Sequence, residues 1–421
     1  MPKGIYQIIN QEAIKMRFLI IGIVLFTALF SFFLKFLNYT WRNKPLPANV
    51  KDVFEPEAYK KNQAYGMENL RFSIVDGIIG LIISVAILVF NFHHYLFEAI
   101  QGQTTNVYLQ GLFIMGVPVL IGIVVDQITS IYSTFVIEEK YGFNKTTVKT
   151  FIIDFIKSLL LSVIVMGGLL TGFLMLYNAI GNGVFIAFFF ILVALMIFVN
   201  FISPFLIRIF YKLTPLEDGS LKARIEEMAE KTGFKLKGIY KVDASKRSTK
   251  LNAFASGFGK TKTIGLFDTL IEKMSEDEIL AVLAHEIGHA KKSHILKSTP
   301  LSFLSMALVL VVAYFVVTMP EVSMAFGFYE ANATFGIYVL FILVSPLMIL
   351  LSAPASALSR KHEYEADRVA ATLCNKEDIS NSLKTLYRES FGNLTPHPFV
   401  VAIEYSHPPL SQRLSAIEAL K

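Results

Sequence analysis

The chain has 421 residues, of which 54% are hydrophobic and only 17% are charged. A soluble domain averages about a quarter charged residues and under half apolar ones, so this composition excludes an ordinary soluble enzyme and a disordered chain. The single cysteine, Cys374, excludes an internal disulfide framework and a cysteine-rich zinc cluster. The formal net charge of +6 does not indicate a nucleic-acid partner, because the basic residues flank apolar segments, where membrane topology accounts for them.

Seven apolar segments are each close to the roughly 20 residues that a helix needs to cross the hydrocarbon of a bilayer. They predict seven membrane spans, at positions 18–36, 72–92, 110–132, 155–177, 183–207, 301–319 and 335–353. A short Gly-Asn-Gly turn at 181–183 separates the fourth span from the fifth, which predicts a helical hairpin. The fold class expected is therefore mainly α, a multi-span helical bundle in contact with the lipid bilayer.

The distribution of Lys and Arg predicts the orientation of these spans, because cytoplasmic loops collect basic residues. The connections at 93–109, 178–182 and 320–334 contain no Lys or Arg. The connections at 37–71 and 133–154 carry several, as do the segments that follow the fifth and seventh spans. We therefore expect a multi-pass protein whose 37–71, 133–154 and 208–300 segments and C-terminal tail are cytoplasmic, with the N-terminus on the other side.

Two hydrophilic pieces lie outside the spans, at 208–300 and 354–421, and each is small for an independent domain. We expect them to fold together, which gives three predicted units. These are a membrane bundle at 1–207, a cytoplasmic domain made of 208–300 and 354–421, and a two-span hairpin at 301–353. Strand-like segments at 238–242, 252–254 and 263–267 predict that the cytoplasmic domain is a small α+β unit.

Positions 285–289 read H-E-I-G-H, the H-E-x-x-H pattern. On a helix, His285 and His289 share a face, so both imidazoles can bind one metal ion. Glu286 lies beside that face, where it can take a proton from an activated water molecule. Ser275 and Glu278 form the pattern of a capping box, which predicts that the helix begins there. The alternative is a polar helix face that carries two histidines by chance.

Two histidines alone do not hold zinc well, so a third ligand is expected from the acid-rich segment at 359–367. Glu363 and Glu365 face nearly opposite ways on a helix, whereas Glu363 and Asp367 share a face. This spacing suggests that Glu363 binds the metal, that Asp367 accepts a hydrogen bond from a ligand imidazole, and that Glu365 faces solvent or the domain interior. A solvated helix start is the alternative. The other histidines without a partner pattern are expected to be structural or interfacial: His93, His94, His294 and His397.

With these motifs the chain resembles the CAAX prenyl protease 1 family, which consists of membrane zinc metalloproteases and includes the bacterial HtpX-like branch. The matching segments occur in order at 135–147, 214–219, 252–254, 285–289, 359–367 and 407–410. The resemblance implies a helical bundle that encloses a chamber, with a zincin-like domain and the metal site at its cytoplasmic end. It implies one Zn²⁺ held by His285, His289 and Glu363, with Glu286 as catalytic base. The membrane would be a bacterial inner membrane or the endoplasmic reticulum.

The resemblance also adds candidate residues beside the metal. Asn252, Ala253 and Phe254 would bind the substrate, since a strand edge can hold an extended peptide by main-chain pairing. His407 precedes two prolines on an extended segment and would donate to the oxyanion of the reaction. Arg413 would support the same charge or pair with an acid. The alternatives are a turn residue for Asn252 and surface positions for His407 and Arg413.

Three functions compete for this sequence. The resemblance favours a zinc endopeptidase that removes the C-terminal tripeptide from prenylated CAAX-type peptides. An HtpX-like protease for quality control of membrane proteins is the alternative within the same class, although the long N-terminal bundle favours the CAAX branch. A transporter or scaffold with a structural metal is the third. It is disfavoured because structural zinc sites are usually closed by four ligands, often cysteines.

Overall fold

Long helices dominate the computed structural model, which describes residues 3–256 and 262–420. The first half of the chain is almost wholly helical. Its helices are α1 Lys3–Trp41, α2 Pro56–Val89, α3 Phe92–Gln101, α4 Val107–Tyr132, α5 Glu139–Tyr141, α6 Val148–Ile180 and α7 Val184–Phe210. A π-helical stretch, Ser133–Glu138, joins α4 to α5, and a 3₁₀ turn, Gly181–Gly183, joins α6 to α7.

The second half alternates short helices with two further long ones. These helices are α8 Ser220–Thr232, α9 Asp268–Lys273, α10 Glu276–Lys291, α11 His294–Thr318, α12 Pro320–Met324, α13 Ala333–Ala370, α14 Lys376–Glu389, α15 Pro398–Glu404 and α16 Leu410–Glu418. The predicted capping box of α10 is confirmed, because Ser275 and Glu278 exchange their side-chain and backbone hydrogen bonds.

Each of the seven predicted membrane segments largely overlaps one long helix, namely α1, α2, α4, α6, α7, α11 or α13. By length and apolar composition, the described chain holds six candidate spans, because the stretch Val148–Phe210 counts as one although it contains both α6 and α7. Each of these helices is longer than the membrane span predicted on it. Helix α13 has 38 residues, which is about 57 Å at 1.5 Å per residue. It continues without a break past the predicted end of the seventh span at position 353.

A four-stranded sheet lies between the membrane helices and the H-E-x-x-H helix in sequence. Its strands are β1 Leu213–Pro215, β2 Leu236–Val242, β3 Ala253–Ser256 and β4 Lys262–Phe267. Their order is β1-β2-β4-β3, with β2 and β4 parallel and the other two pairs antiparallel. The three predicted strand segments coincide with β2, β3 and β4, and the sequence analysis missed the three-residue β1. Strand β3 is therefore an edge strand.

Helix α10 is buried on two sides, which fixes the position of the residues it carries. Leu283 belongs to the apolar cluster formed with Leu266 of β4, and both side chains are fully buried. Ala284 belongs to a second cluster, with Ala370 of α13 and Leu410 of α16. Truncating a buried leucine such as Leu283 to alanine typically costs about 2–5 kcal/mol. Because α10 packs against both clusters, the H-E-x-x-H segment is held between the sheet and helices α13 and α16.

Helix α6 and the π-helical stretch that follows α4 are attached to the loop before β3 by two ion pairs. Arg247 donates to both oxygens of Asp154, at 2.7 and 3.0 Å. Lys250 lies 2.9 Å from a carboxylate oxygen of Glu138 in the π-helical stretch. Both contacts link the membrane helices to the loop that leads into β3, and the second gives the 135–147 segment a structural role.

Candidate metal centre

Helices α10 and α13 approach each other closely where Gly288 faces Ala366. A Cβ atom at position 288 would lie 2.9 Å from the backbone oxygen of Ala366, which a larger residue would have to displace. The small residue therefore allows the two helices to come together. As a result, His285 and His289 on α10 lie directly beside Glu363 on α13.

The potential ligand atoms of these three residues form a compact triangle. The Nε2 atoms of His285 and His289 are 3.0 Å apart. The Nε2 atom of His285 is 3.4 Å from Oε2 of Glu363, and that of His289 is 3.3 Å from Oε1. Donors bound tetrahedrally to zinc at 2.0–2.1 Å are separated by about 3.3 Å. The side chain of Glu363 is 4% exposed, and its Oε2 atom has no hydrogen-bond partner. The donor set and this unpartnered buried oxygen both fit a zinc ion.

A buried ion pair supports the first of the two histidines. The Nδ1 atom of His285 donates to Oδ1 of Asp367 at 2.8 Å. Arg413 donates to both oxygens of Asp367, at 2.6 and 2.9 Å. Burial acts to lower the pKa of His285, but the hydrogen bond with Asp367 and the nearby carboxylate of Glu363 raise it to about 9. The two carboxylates therefore make this position favourable for a cation.

Both hydrogen bonds in this ion pair come from the buried guanidinium of Arg413. Its side chain is only 7% exposed, and burial opposes its charge, but the hydrogen bond with Asp367 raises the pKa of the guanidinium further. Two roles were predicted for Arg413, support of the oxyanion charge or pairing with an acid. In the structure Arg413 pairs with an acid, Asp367. It also lines the cavity in front of the metal residues.

That cavity has a volume of about 220 Å³. Glu286, which follows His285 on α10, faces it, and so does His407. The Nε2 atom of His407 lies 3.3 Å from Oε1 of Glu363, and its side chain is 59% exposed. Apolar side chains form the rest of one wall: Leu270, Val282, Ile379, Leu383 and Leu386. The cavity thus combines a polar end at the metal residues with an apolar wall suited to an aliphatic side chain.

Besides Arg413, the structure brings two of the three predicted substrate-binding residues at 252–254 to this cavity. Asn252 and Ala253 line it, and the backbone N–H of Ala253 donates to the side-chain oxygen of Asn252 at 2.9 Å. Phe254 points to the other side of β3, where its ring covers Gly265 of β4 so closely that a Cβ there would overlap it. The Phe254 side chain therefore does not line the cavity, and a part for this residue in substrate binding stays a prediction.

The sequence analysis missed that His294 contacts His289 and that Glu365 in turn contacts His294. His294 was expected to be structural or interfacial, yet its Nδ1 atom lies 2.9 Å from Nδ1 of His289. Its Nε2 atom lies 3.2 Å from Oε2 of Glu365, which was expected to face solvent or the domain interior. The only signal in the sequence was a third histidine five residues after His289, and nothing in that spacing predicts the left-handed residue Ser293 between the two helices.

Comparisons with known proteins cover nearly the whole chain. A family described as CAAX prenyl protease N-terminal, five membrane helices, matches residues 35–212, and peptidase family M48 matches residues 215–421. CAAX prenyl protease 1 of Saccharomyces cerevisiae is 31% identical, over 98% of this chain and 97% of its own length. The chain belongs to the CAAX prenyl protease 1 family. The Arabidopsis thaliana homolog of this protease is 33% identical, over 95% of this chain and 96% of its own length.

The fold of this chain is also similar to that of a solved structure. The crystal structure of S. mikatae Ste24p superimposes with a TM-score of 0.90 at 31% identity, covering 96% of this chain and 99% of that one. The resemblance inferred from the sequence is confirmed, and the chain is a multi-pass membrane metalloprotease of the M48 type. This membership counts against a transporter or scaffold whose metal is purely structural.

Proposed function

We propose that this metalloprotease uses zinc to remove the C-terminal tripeptide from prenylated CAAX-type peptides at the cytoplasmic face of a membrane. One observation carries the proposal. The donor atoms of His285, His289 and Glu363 lie within 4.8 Å of one another, and His285 lines a cavity together with Glu286. The names of the relatives in yeast and Arabidopsis, CAAX prenyl proteases, support the substrate class.

In this proposal His285, His289 and Glu363 hold a single zinc ion, and Asp367 orients the ring of His285. Three protein ligands leave a fourth position open, as is typical of catalytic rather than structural zinc. When bound, the ion would supply the Lewis acidity that activates water and polarises the scissile carbonyl.

The remaining steps belong to residues of the chain. Glu286 takes a proton from the attacking water and delivers it to the departing amine. His407 donates from Nε2 to the oxyanion as charge develops there. Asn252 and Ala253 stand at the start of edge strand β3, whose outer side can hold an extended peptide by main-chain hydrogen bonds. The apolar wall of the cavity then accepts an aliphatic side chain of the substrate next to the cleaved bond.

We also propose seven membrane crossings, with α6 and α7 crossing separately. Helix α6 has 33 residues and α7 has 27, about 50 and 40 Å, and each exceeds a hydrocarbon core of about 30 Å. The Lys/Arg pattern places the 37–71 and 133–154 loops in the cytoplasm together with the peptidase residues. The three-unit division proposed from the sequence is retained, with the qualification that α13 belongs to both the hairpin and the peptidase unit. The membrane helices would enclose a chamber that opens into the cavity.

The decisive experiment compares matched prenylated and unprenylated CAAX peptides as substrates of the purified protein. We expect release of the tripeptide from the prenylated peptide and little cleavage of its partner, with the Glu286→Gln variant as inactive control. Equal cleavage of both peptides would favour a broader, HtpX-like protease. Failure to cleave either peptide, with zinc bound, would refute the substrate assignment.

A further inference from the structure

The two histidines of the metal centre are supported in different ways. The Nδ1 atom of His285 contacts the carboxylate of Asp367 directly, at 2.8 Å. The Nδ1 atom of His289 instead contacts another imidazole, that of His294, at 2.9 Å, and His294 in turn contacts Glu365 at 3.2 Å. Helix α13 supplies Asp367 and Glu365 as well as Glu363. Asp367 contacts its histidine directly, whereas Glu365 is connected to His289 only through the ring of His294.

The hydrogen-bonding roles in this chain of contacts leave a single arrangement of protons. Because Nε2 of His289 faces the other two ligand atoms, at 3.0 and 3.3 Å, it must keep its lone pair to bind a metal. The proton of His289 is then on Nδ1 and is donated to Nδ1 of His294. His294 therefore carries its own proton on Nε2, which donates to the carboxylate of Glu365. Every ring nitrogen has one role, and none is left without a partner.

The local fold holds His294 in place for this contact. Helix α10 ends at Lys291, and Ser293 adopts a left-handed conformation with φ of 54°, which changes the direction of the chain before α11 begins at His294. The His294 side chain is only 4% exposed, and its ring stacks on that of His362 at 4.1 Å and 8°. Lys297 lies 3.3 Å from Glu365 and steadies its carboxylate.

We propose that His294 and Glu365 are positioning residues that fix His289 in the tautomer and ring orientation needed to bind the metal. The proposal rests on the zinc-binding role proposed above for His285, His289 and Glu363. A partner that orients a ligand imidazole usually strengthens metal affinity by about 10–100-fold. Glu365, separated from the ligand by one ring, acts only through His294.

Zinc affinity of the purified full-length protein, measured by competition with a chromogenic chelator, tests the proposal without relying on proteolysis. His294→Phe keeps an aromatic ring on His362 but removes both hydrogen bonds, and we expect it to weaken zinc binding by about 10–100-fold. His294→Gln keeps one acceptor and one donor and should recover part of that loss. His362→Phe is the matched control, since it changes a neighbouring buried ring outside the hydrogen-bonded chain, and its affinity should stay within about threefold of the original.

A second readout separates positioning from general packing. With Co²⁺ at saturating concentration in place of zinc, His294→Phe should shift the visible absorption bands of the metal, whereas His362→Phe should not. Unchanged affinity and spectrum in His294→Phe would overturn the proposal even if its melting temperature falls. Equal loss in both variants would also overturn it. If the unmodified chain binds zinc no better than Glu363→Ala, the metal site itself is wrong, which is a different failure from that of His294.

Discussion

Asp367 provides the sharpest test of how the metal centre is built, because it binds two partners at once. It accepts from His285 and from Arg413, and its side chain is 3% exposed. Replacing Asp367 by alanine leaves the buried guanidinium with Glu363, at 3.4 Å, as its nearest remaining carboxylate. Removing one partner of a buried ion pair costs about 3–5 kcal/mol. Since Glu363 compensates in part, we expect Asp367→Ala to lose about 3 kcal/mol of stability.

The same substitution should weaken zinc binding, by a separate mechanism. Without Asp367, the His285 ring loses the acceptor that fixes its tautomer, and we expect about 10–100-fold weaker binding, or about 1.4–2.7 kcal/mol. Two further variants separate the effects. Asp367→Asn keeps an oxygen for His285 but turns an amide toward Arg413, so stability should fall while zinc affinity drops less than about tenfold. The double variant Asp367→Ala with Arg413→Met removes both charges, so stability should largely recover while zinc binding stays weak.

Unfolding of the zinc-free protein in detergent, followed by tryptophan and tyrosine fluorescence, gives the stability of each variant. Chelator competition on the same preparations gives the zinc affinity. Two results would refute the reasoning. An Asp367→Ala variant as stable as the original would show that Arg413 does not depend on this carboxylate. A double variant that regains full zinc affinity would show that Asp367 does not act through His285.

Three other predictions follow from the site and the topology. Glu286→Gln should lower peptide turnover by at least about 100-fold while zinc content stays the same; loss of zinc would give the residue a structural role instead. With Gly181→Cys and Lys51→Cys, a membrane-impermeant maleimide should label position 181 only from the outside and position 51 only from the cytoplasm, and the reverse pattern would overturn the orientation. Burial raises the pKa of Cys374 to about 11, so at pH 8 its thiolate population, and its rate of alkylation by iodoacetamide, should be about 100-fold below those of a thiol with an ordinary pKa. The rate should rise with pH up to about 11, and alkylation at the rate of a free thiol would contradict this.

Features that depend on local sequence were predictable. The apolar segments gave the positions of the long helices, because apolar length is a property of a single continuous stretch. The capping box of Ser275 and Glu278 correctly marked the start of α10. Helical periodicity alone placed Glu363 and Asp367 on one face, and the structure has both on the side of α13 that contacts His285.

Features that depend on a single backbone torsion or on packing between distant segments were not predictable. Only the left-handed conformation of Ser293 turns His294 back toward His289, and serine has no particular preference for it. Arg413 lies 46 positions from Asp367, and no local pattern connects them. Phe254 packs over Gly265 of β4, a contact that depends on how β3 pairs with a strand that follows it in sequence.

Helix α13 explains why the membrane and the metal centre cannot be treated as separate parts. It is about 57 Å long, nearly twice the hydrocarbon thickness of a bilayer. Its first residues, including Phe335 and Val339, are buried in the apolar cluster of the membrane region. Its last three turns carry Glu363, Glu365 and Asp367 to the histidines of α10. Pro346 and Pro354 lie within α13, yet the backbone stays helical from Ala333 to Ala370. The helix that packs in the membrane region is therefore the same one that presents the three carboxylates to α10, so a change in its position would move both.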